Sequence, residues 1–163
     1  MLIVLRGNSG SGKTTVAEAL QRELGWPTAV LEQDHFRRVV YAEREGRSHL
    51  TGMAHAALLE AAAAHCLARG QHLVLEGILN AHRYAGMLER IAALADDARF
   101  LAFDLPFEET VRRHADRPKA SAFDVEEMRG WYHGWDPLPF VEEQRIDAGE
   151  TVPAIVERIL AAS

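Results

Sequence analysis

Residues 7–14 carry the strongest chemical signal in the chain. Gly7-Asn8-Ser9-Gly10-Ser11-Gly12-Lys13-Thr14 fits the spacing GxxxxGK[ST] at every constrained position. Glycines let a backbone curl until successive N–H groups point at one centre. Those donors, with the N-terminus of a following helix, suit the oxygens of a polyphosphate. Lys13 can set its ammonium between β- and γ-phosphates, and the Thr14 hydroxyl can ligate Mg²⁺, with Thr15 beside it at the helix start. The implied ligands are ATP and Mg²⁺. The loop alone does not separate a kinase from a GTPase or a motor ATPase.

A second constellation is Glu32-Gln33-Asp34-His35-Phe36-Arg37-Arg38. It follows a β-rich apolar run, so Asp34 stands just past the carboxyl end of a strand. A carboxylate there can accept a hydroxyl proton during phosphoryl transfer. Arg37, three residues on, shares a helical face with it and can hold a phosphate or carboxylate of an acceptor. The plain alternative is a helix-capping Asp34 and a solvated Arg37. Glu76 ends a third apolar run, where it could bind Mg²⁺ through water, orient an acceptor or merely meet solvent. Arg83, at the start of the next helix, could face an acceptor or meet solvent.

Arg112, Arg113 and Arg117 flank a polar loop that also carries Lys119. Mobile arginines closing over a transferring phosphoryl group stabilise its charge and exclude water. Arg117, beside Pro118, is the first choice for that role and Arg113 the second. Arg112 could instead stack on an adenine. The lid so defined spans about residues 112–123. Trp131, Tyr132, Trp135 and Phe140 make an aromatic set that could wall an acceptor pocket, with core where the last elements dock the favoured reading.

The elements that must position these groups follow from periodicity. Strands are expected at 2–6, 28–32, 72–76, 99–104 and 142–147. Helices are expected from Lys13 to Gly25 and at 50–69, 81–95, 107–115, 124–133 and 151–161. Residues 36–47 read as a short helix and a loop. This βαβ alternation implies an α/β fold, with five strands in a mostly parallel sheet flanked by helices. Functional groups should gather at the carboxyl ends of its strands.

The 163 residues suit one domain over 1–163 with a real core, and 48% of them are hydrophobic. No run is long enough to span a membrane, and MLIVL reads as a buried strand rather than a leader. Cys66 is the one cysteine, so a cysteine-based metal site and an intrachain disulfide are excluded and a reducing cytoplasm is expected. The net charge of -6 argues against an extended nucleic-acid footprint but leaves room for a local basic pocket. Sixteen of the eighteen basic residues are arginine, which genome composition or phosphate recognition could each produce. Oligomeric state is not readable.

With these motifs placed, the chain resembles the small P-loop kinase group. That group includes adenylate, shikimate and gluconate kinases, chloramphenicol phosphotransferase, zeta-toxin kinases and the kinase domain of phage polynucleotide kinase. The likeness rests on GNSGSGKT at 7–14, Asp34 with Arg37, and arginines near 112–119, within an architecture matching nearly the whole chain. It implies a P-loop NTPase fold, nucleoside-kinase-like, with a short arginine lid. Asp34 and Arg37 most resemble the zeta-toxin, chloramphenicol phosphotransferase and polynucleotide kinase branch. The resemblance implies that Asp34 activates an acceptor hydroxyl, that Arg37 contacts the acceptor, and that Arg117 or Arg113 bridges ATP phosphates. The expected reaction moves the γ-phosphate of ATP to a hydroxyl of a small molecule. Two alternatives stay open: a kinase acting on a nucleic-acid 5′ end, and a regulatory ATPase with no small acceptor. No NKxD guanine-specificity motif is present to support a GTPase switch.

Overall fold

The computed structural model describes residues 1–43, 53–115 and 124–161. Among them the order is β1 (Leu2–Gly7), α1 (Lys13–Leu24), β2 (Thr28–Glu32), α2 (Gln33–His35), a π-helical turn (Phe36–Val40), α3 (Ala54–Ala68) and β3 (His72–Gly77). It continues with α4 (Ala81–Ala92), β4 (Ala98–Phe103), α5 (Phe107–Ala115), α6 (Val125–Trp131), β5 (Gln144–Ile146) and α7 (Val152–Ala161). The strands form one sheet of order β2-β3-β1-β4-β5. Every pairing is parallel.

A parallel sheet is covered on both faces, so its inner strands bury every side chain. All six residues of β1 are buried. Their alternation sorts them into two layers. Leu2 and Val4 join Leu73, Leu75, Leu59 of α3 and Leu88 of α4 on one face. Ile3 and Leu5 join Val74, Leu101, Leu20 of α1 and Ile159 of α7 on the other. The helix after β1 and the helix after β3 therefore lie on opposite faces of two adjacent strands. At such a switch point the loops leaving the strands diverge and open a crevice.

Element boundaries moved in several places. The short helix expected within 36–47 begins earlier, at Gln33, and widens into the π turn, where Tyr41 N–H donates to Phe36 O at 3.1 Å. Helix α4 stops at Ala92, and Leu94 beyond it is 56% exposed, with no core to hold another turn. Helix α6 stops at Trp131 because Tyr132 turns extended and sends its hydroxyl to Leu105 O at 3.0 Å. Of the expected lid, residues 116–123 lie outside the described residues, Arg117 and Lys119 with them. No described helix is long and apolar enough to cross a membrane.

Candidate active site

The loop 7–14 leaves the carboxyl end of β1 and enters α1, as the motif requires. Gly10 sits at φ +81°, and a Cβ there would stand 2.5 Å from Thr110 O, so only glycine lets the loop pass under α5. Lys13 is 7% exposed, and its Nζ donates to Asn8 O at 3.0 Å. The ammonium is thereby held within the loop. Asn8 Oδ1 accepts from His133 N–H at 3.1 Å, which ties the loop to the segment after α6. Thr15 lies on the exposed side of α1.

Glu76 meets the loop from the next strand. Register places Leu5 opposite Glu76 and Arg6 opposite Gly77. Thr14 Oγ1 donates to Glu76 Oε1 at 2.7 Å. Burial pushes the Glu76 carboxyl above its ordinary range, against the pull of Lys13 and the Thr14 hydrogen bond. A hydroxyl beside a desolvated carboxylate, with Glu32 and Asp34 lining the same cavity, is a hard oxygen donor set that fits Mg²⁺. Among the described residues no three His, Cys, Asp or Glu close into a protein cage. Phosphate oxygens and water would complete such a shell. This cavity is small, about 120 Å³, and Lys13, Thr14 and His114 also line it.

Asp34 is placed over the end of β3 by its neighbour. Gln33 is 3% exposed and folds onto Gly77, where a Cβ would stand 2.6 Å from the Gln33 Cβ. Glycine at 77 is what lets the Asp34 turn lie there. The Asp34 side chain is half exposed, with Arg38 Nε 3.6 Å away, a contact of little energetic weight. Asp34, Ser9 and Ile78 line both the phosphate cavity and a larger one of about 610 Å³.

The larger cavity receives Arg37 and Arg83, together with Arg38, Asn80, Tyr84 and Trp131. Arg37 Nη2 donates to Glu43 Oε1 at 3.1 Å, so its charge is already matched and it acts as a directed donor. The Arg83 guanidinium lies over the Tyr84 ring at 5.7 Å, and its Nη2 is 3.3 Å from Met53 Sδ. The aromatic set expected as core divides. Phe140 packs edge-on against Phe100 in the core. Trp131 instead walls the cavity, with Arg38 over its ring at 5.5 Å.

The two described lid arginines differ. Arg113 joins three elements: Nε donates to Glu109 at 2.6 Å, Nη1 to Ser11 O at 2.9 Å, and Nη2 to Ala148 O at 2.9 Å. It braces the phosphate loop against the turn after β5. Arg112 is exposed and grips Glu109 through Nε and Nη2, both at 2.8 Å. The two guanidinium contacts, Arg112 first, pull the Glu109 carboxyl down to about 2.

Sequence reasoning missed Gln33, Glu43 and Tyr84, which line the larger cavity, and His55, which is buried beneath it. His55 and Tyr84 look like ordinary members of amphipathic helices. Gly77 was the one available pointer, since a glycine closing a buried strand marks a close approach.

Comparison with known proteins bears on the fold. The profile of the AAA domain family matches residues 2–130. No curated protein sequence matches the chain significantly. An APS kinase from Mycobacterium tuberculosis, solved with AMPPNP and APS, superposes with a TM-score of 0.72 at 23% identity, covering 98% of this chain and 94% of that one. A gluconokinase from Sinorhizobium meliloti 1021 gives 0.63 at 21%, covering 98% and 89%. A shikimate kinase from Aquifex aeolicus gives 0.57 at 19%, covering 98% and 94%. At these identities the likeness shows a shared fold. The chain belongs to the AAA domain family, and its nucleotide-binding fold is that of the small P-loop kinases.

Proposed function

We propose that the protein transfers the γ-phosphate of ATP to a hydroxyl of a small-molecule acceptor. The observation that carries this reading is the position of Asp34 on the shared wall of the two cavities. One cavity has the size and donors for phosphate groups, and the other has room for a metabolite.

The reading assigns a role to each residue. Loop N–H groups and Lys13 hold the β- and γ-phosphates. Thr14, with Glu76 behind it, would hold Mg²⁺, which neutralises phosphate charge when bound. Asp34 takes the proton of the acceptor hydroxyl as that oxygen attacks, while Arg37 and Arg83 orient the acceptor. Arg113 keeps the phosphate loop in shape, and Arg117 and Arg112 supply the remaining lid charge. A cytoplasmic setting, where ATP and Mg²⁺ are both present, goes with this reading.

The test is transfer of label from γ-labelled ATP with Mg²⁺ to a panel of sugar acids, polyols, nucleosides, antibiotics and nucleic-acid 5′ ends. Labelling of a small hydroxyl compound is expected. Asp34→Asn should lower kcat by about 10²–10⁴-fold and leave ATP affinity unchanged. Labelling of 5′ ends alone would move the acceptor to nucleic acid. Hydrolysis only in the presence of a protein partner would sink the kinase reading.

A further inference from the structure

Along the wall of the larger cavity, and beneath it at His55, runs a chain of polar groups that leads to Arg37. Ile78 N–H donates to Gln33 Oε1 at 3.2 Å. An N–H can only donate, so the amide oxygen of Gln33 must face it and the amide nitrogen must face the other way. That nitrogen donates to the Tyr84 hydroxyl at 2.6 Å. The Tyr84 oxygen lies 2.9 Å from His55 Nε2. His55 Nδ1 lies 3.2 Å from Glu43 Oε2. Glu43 Oε1 accepts from Arg37 Nε at 3.3 Å and Nη2 at 3.1 Å.

One arrangement satisfies each of these groups: Tyr84 accepts from Gln33 and gives its hydrogen to His55 Nε2, and His55 then carries its proton on Nδ1. That proton points at a carboxylate oxygen. Glu43 Oε2 and His55 Nδ1 are both buried, neither makes a well-formed hydrogen bond to a described residue, and they face each other at 3.2 Å. Buried polar atoms of this kind pair with what faces them. His55 is fully buried, and the Glu43 side chain is 1% exposed. Five groups from four parts of the fold are thus linked in one sense. They run from the end of β3 through the Asp34 turn, α4 and α3 to the arginine in the cavity.

We propose that Gln33, Tyr84, His55 and Glu43 are positioning residues that hold Arg37, and with it the Asp34 turn, in register for the acceptor. The proposal rests on the acceptor reading of the larger cavity. Gln33, Glu43 and Tyr84 also line that cavity and His55 is fully buried; the role of the four is to hold Arg37. Glu43 alone would pair with Arg37 but leave the carboxylate free to rotate. His55 locks the second oxygen, and Tyr84 and Gln33 lock the imidazole.

The relay has a built-in dependence on His55. A doubly protonated imidazole would set Nε2–H against the Tyr84 O–H and leave that hydrogen buried with no acceptor. Four groups face His55: Tyr84 and Arg83 of α4, Arg37 of the π turn, and Glu43 after it. Burial lowers the His55 pKa below 6.5, Glu43 opposes this, and Arg37 and Arg83 add to the lowering. The neutral form is therefore complete above pH 6.5, and the relay is lost as pH falls through the lowered value. Tyr84 keeps its proton throughout, since burial raises its pKa above 10.

The test uses the intact protein and the acceptor identified by label transfer. Tyr84→Phe and His55→Leu should each raise the acceptor KM by about three- to tenfold, with the ATP KM unchanged. His55→Gln, which keeps a neutral donor and acceptor, should recover most of that loss. It should also abolish the rise in acceptor KM that wild type shows below pH 6.5. Equal changes in ATP and acceptor KM, or an acid limb that persists in His55→Gln, would overturn the proposal. Nitrogen-15 NMR of the His55 ring gives a readout without any acceptor. A proton on Nδ1 and a lone pair on Nε2 support the relay, and the opposite tautomer refutes it. If no acceptor is labelled at all, the kinase reading fails first, and Arg37 has no acceptor to hold.

Discussion

Asp34 and Glu76 are neighbouring carboxylates with different surroundings. Asp34 is half exposed and reaches both cavities, so it can meet a substrate hydroxyl. Glu76 is 5% exposed and held by Thr14, so it stays against the loop 7–14. Burial raises its pKa, which means the ionised form is the costly one in the fold. The stability this group contributes is therefore present below its ordinary value of 4.5 and is lost as pH rises through the raised value. Glu76→Gln should raise the Tm of the ligand-free protein at pH 7 and have little effect at pH 4. The same substitution should weaken Mg²⁺-dependent ATP binding. Calorimetric melts at the two pH values, with titration of ATP with and without Mg²⁺, check both arms. A lower Tm at pH 7 would show that Thr14 and Lys13 outweigh the burial.

At the level of elements, the site depends on where β3 ends and α2 begins. Gln33 fits over Gly77 because no side chain stands between them. Gly77→Ala would drive a methyl to 2.6 Å from both the Gln33 Cβ and Oε1. One of the two elements must shift, and overpacking of this kind costs about 1–3 kcal/mol. Because Asp34 is the next residue, the shift should reach the chemistry. We expect kcat to fall by about 10²-fold, in keeping with a displaced catalytic group. A urea melt and steady-state kinetics together would show it. Full activity in a destabilised variant would mean that the Asp34 turn is set by something other than this contact.

Across the whole molecule, the segment 132–143 is fastened over the carboxyl end of the sheet by one buried cation. Arg6 precedes the phosphate loop on β1 and is 2% exposed. Its Nη1 donates to both oxygens of Glu143, at 2.7 and 2.6 Å, and its Nη2 to Asp136 O at 3.0 Å. Glu143 Oε2 also accepts from Leu138 N–H at 2.8 Å. Asp136 Oδ2 accepts from Ala81 N–H at 2.6 Å at the start of α4. One network thus joins β1, α4 and the chain leading to β5. Removing Glu143 leaves the buried guanidinium with only the longer 3.4 Å contact to the Asp136 carboxylate, so Glu143→Leu should cost up to about 3–5 kcal/mol. Adding Arg6→Met should return much of that loss, because the uncompensated charge goes with it. Denaturant melts of the single and double variants measure the difference. A double variant no more stable than Glu143→Leu would show that the backbone acceptors of Arg6 matter more than the charge pair.

The sequence by itself determined the phosphate loop, the element order and the parallel sheet. These are local properties: a glycine-rich spacing between an apolar strand and an amphipathic helix, and a change of hydrophobic period along the chain. It also marked Asp34, Arg37, Glu76 and Arg83, because the ends of parallel strands share one rim whatever the details of packing. Only the tertiary structure decided what each of these residues faces. Pairing of β1 with β3 brought Glu76 to Thr14, and no pattern within either strand specifies a neighbour across the sheet. The aromatic residues 131–140 divided between core and cavity wall according to which elements happened to lie beside them. His55, Tyr84 and Glu43 carry no signal of their own. They act together because three separate segments bury them side by side, and a buried polar group takes its meaning from the partner that burial imposes.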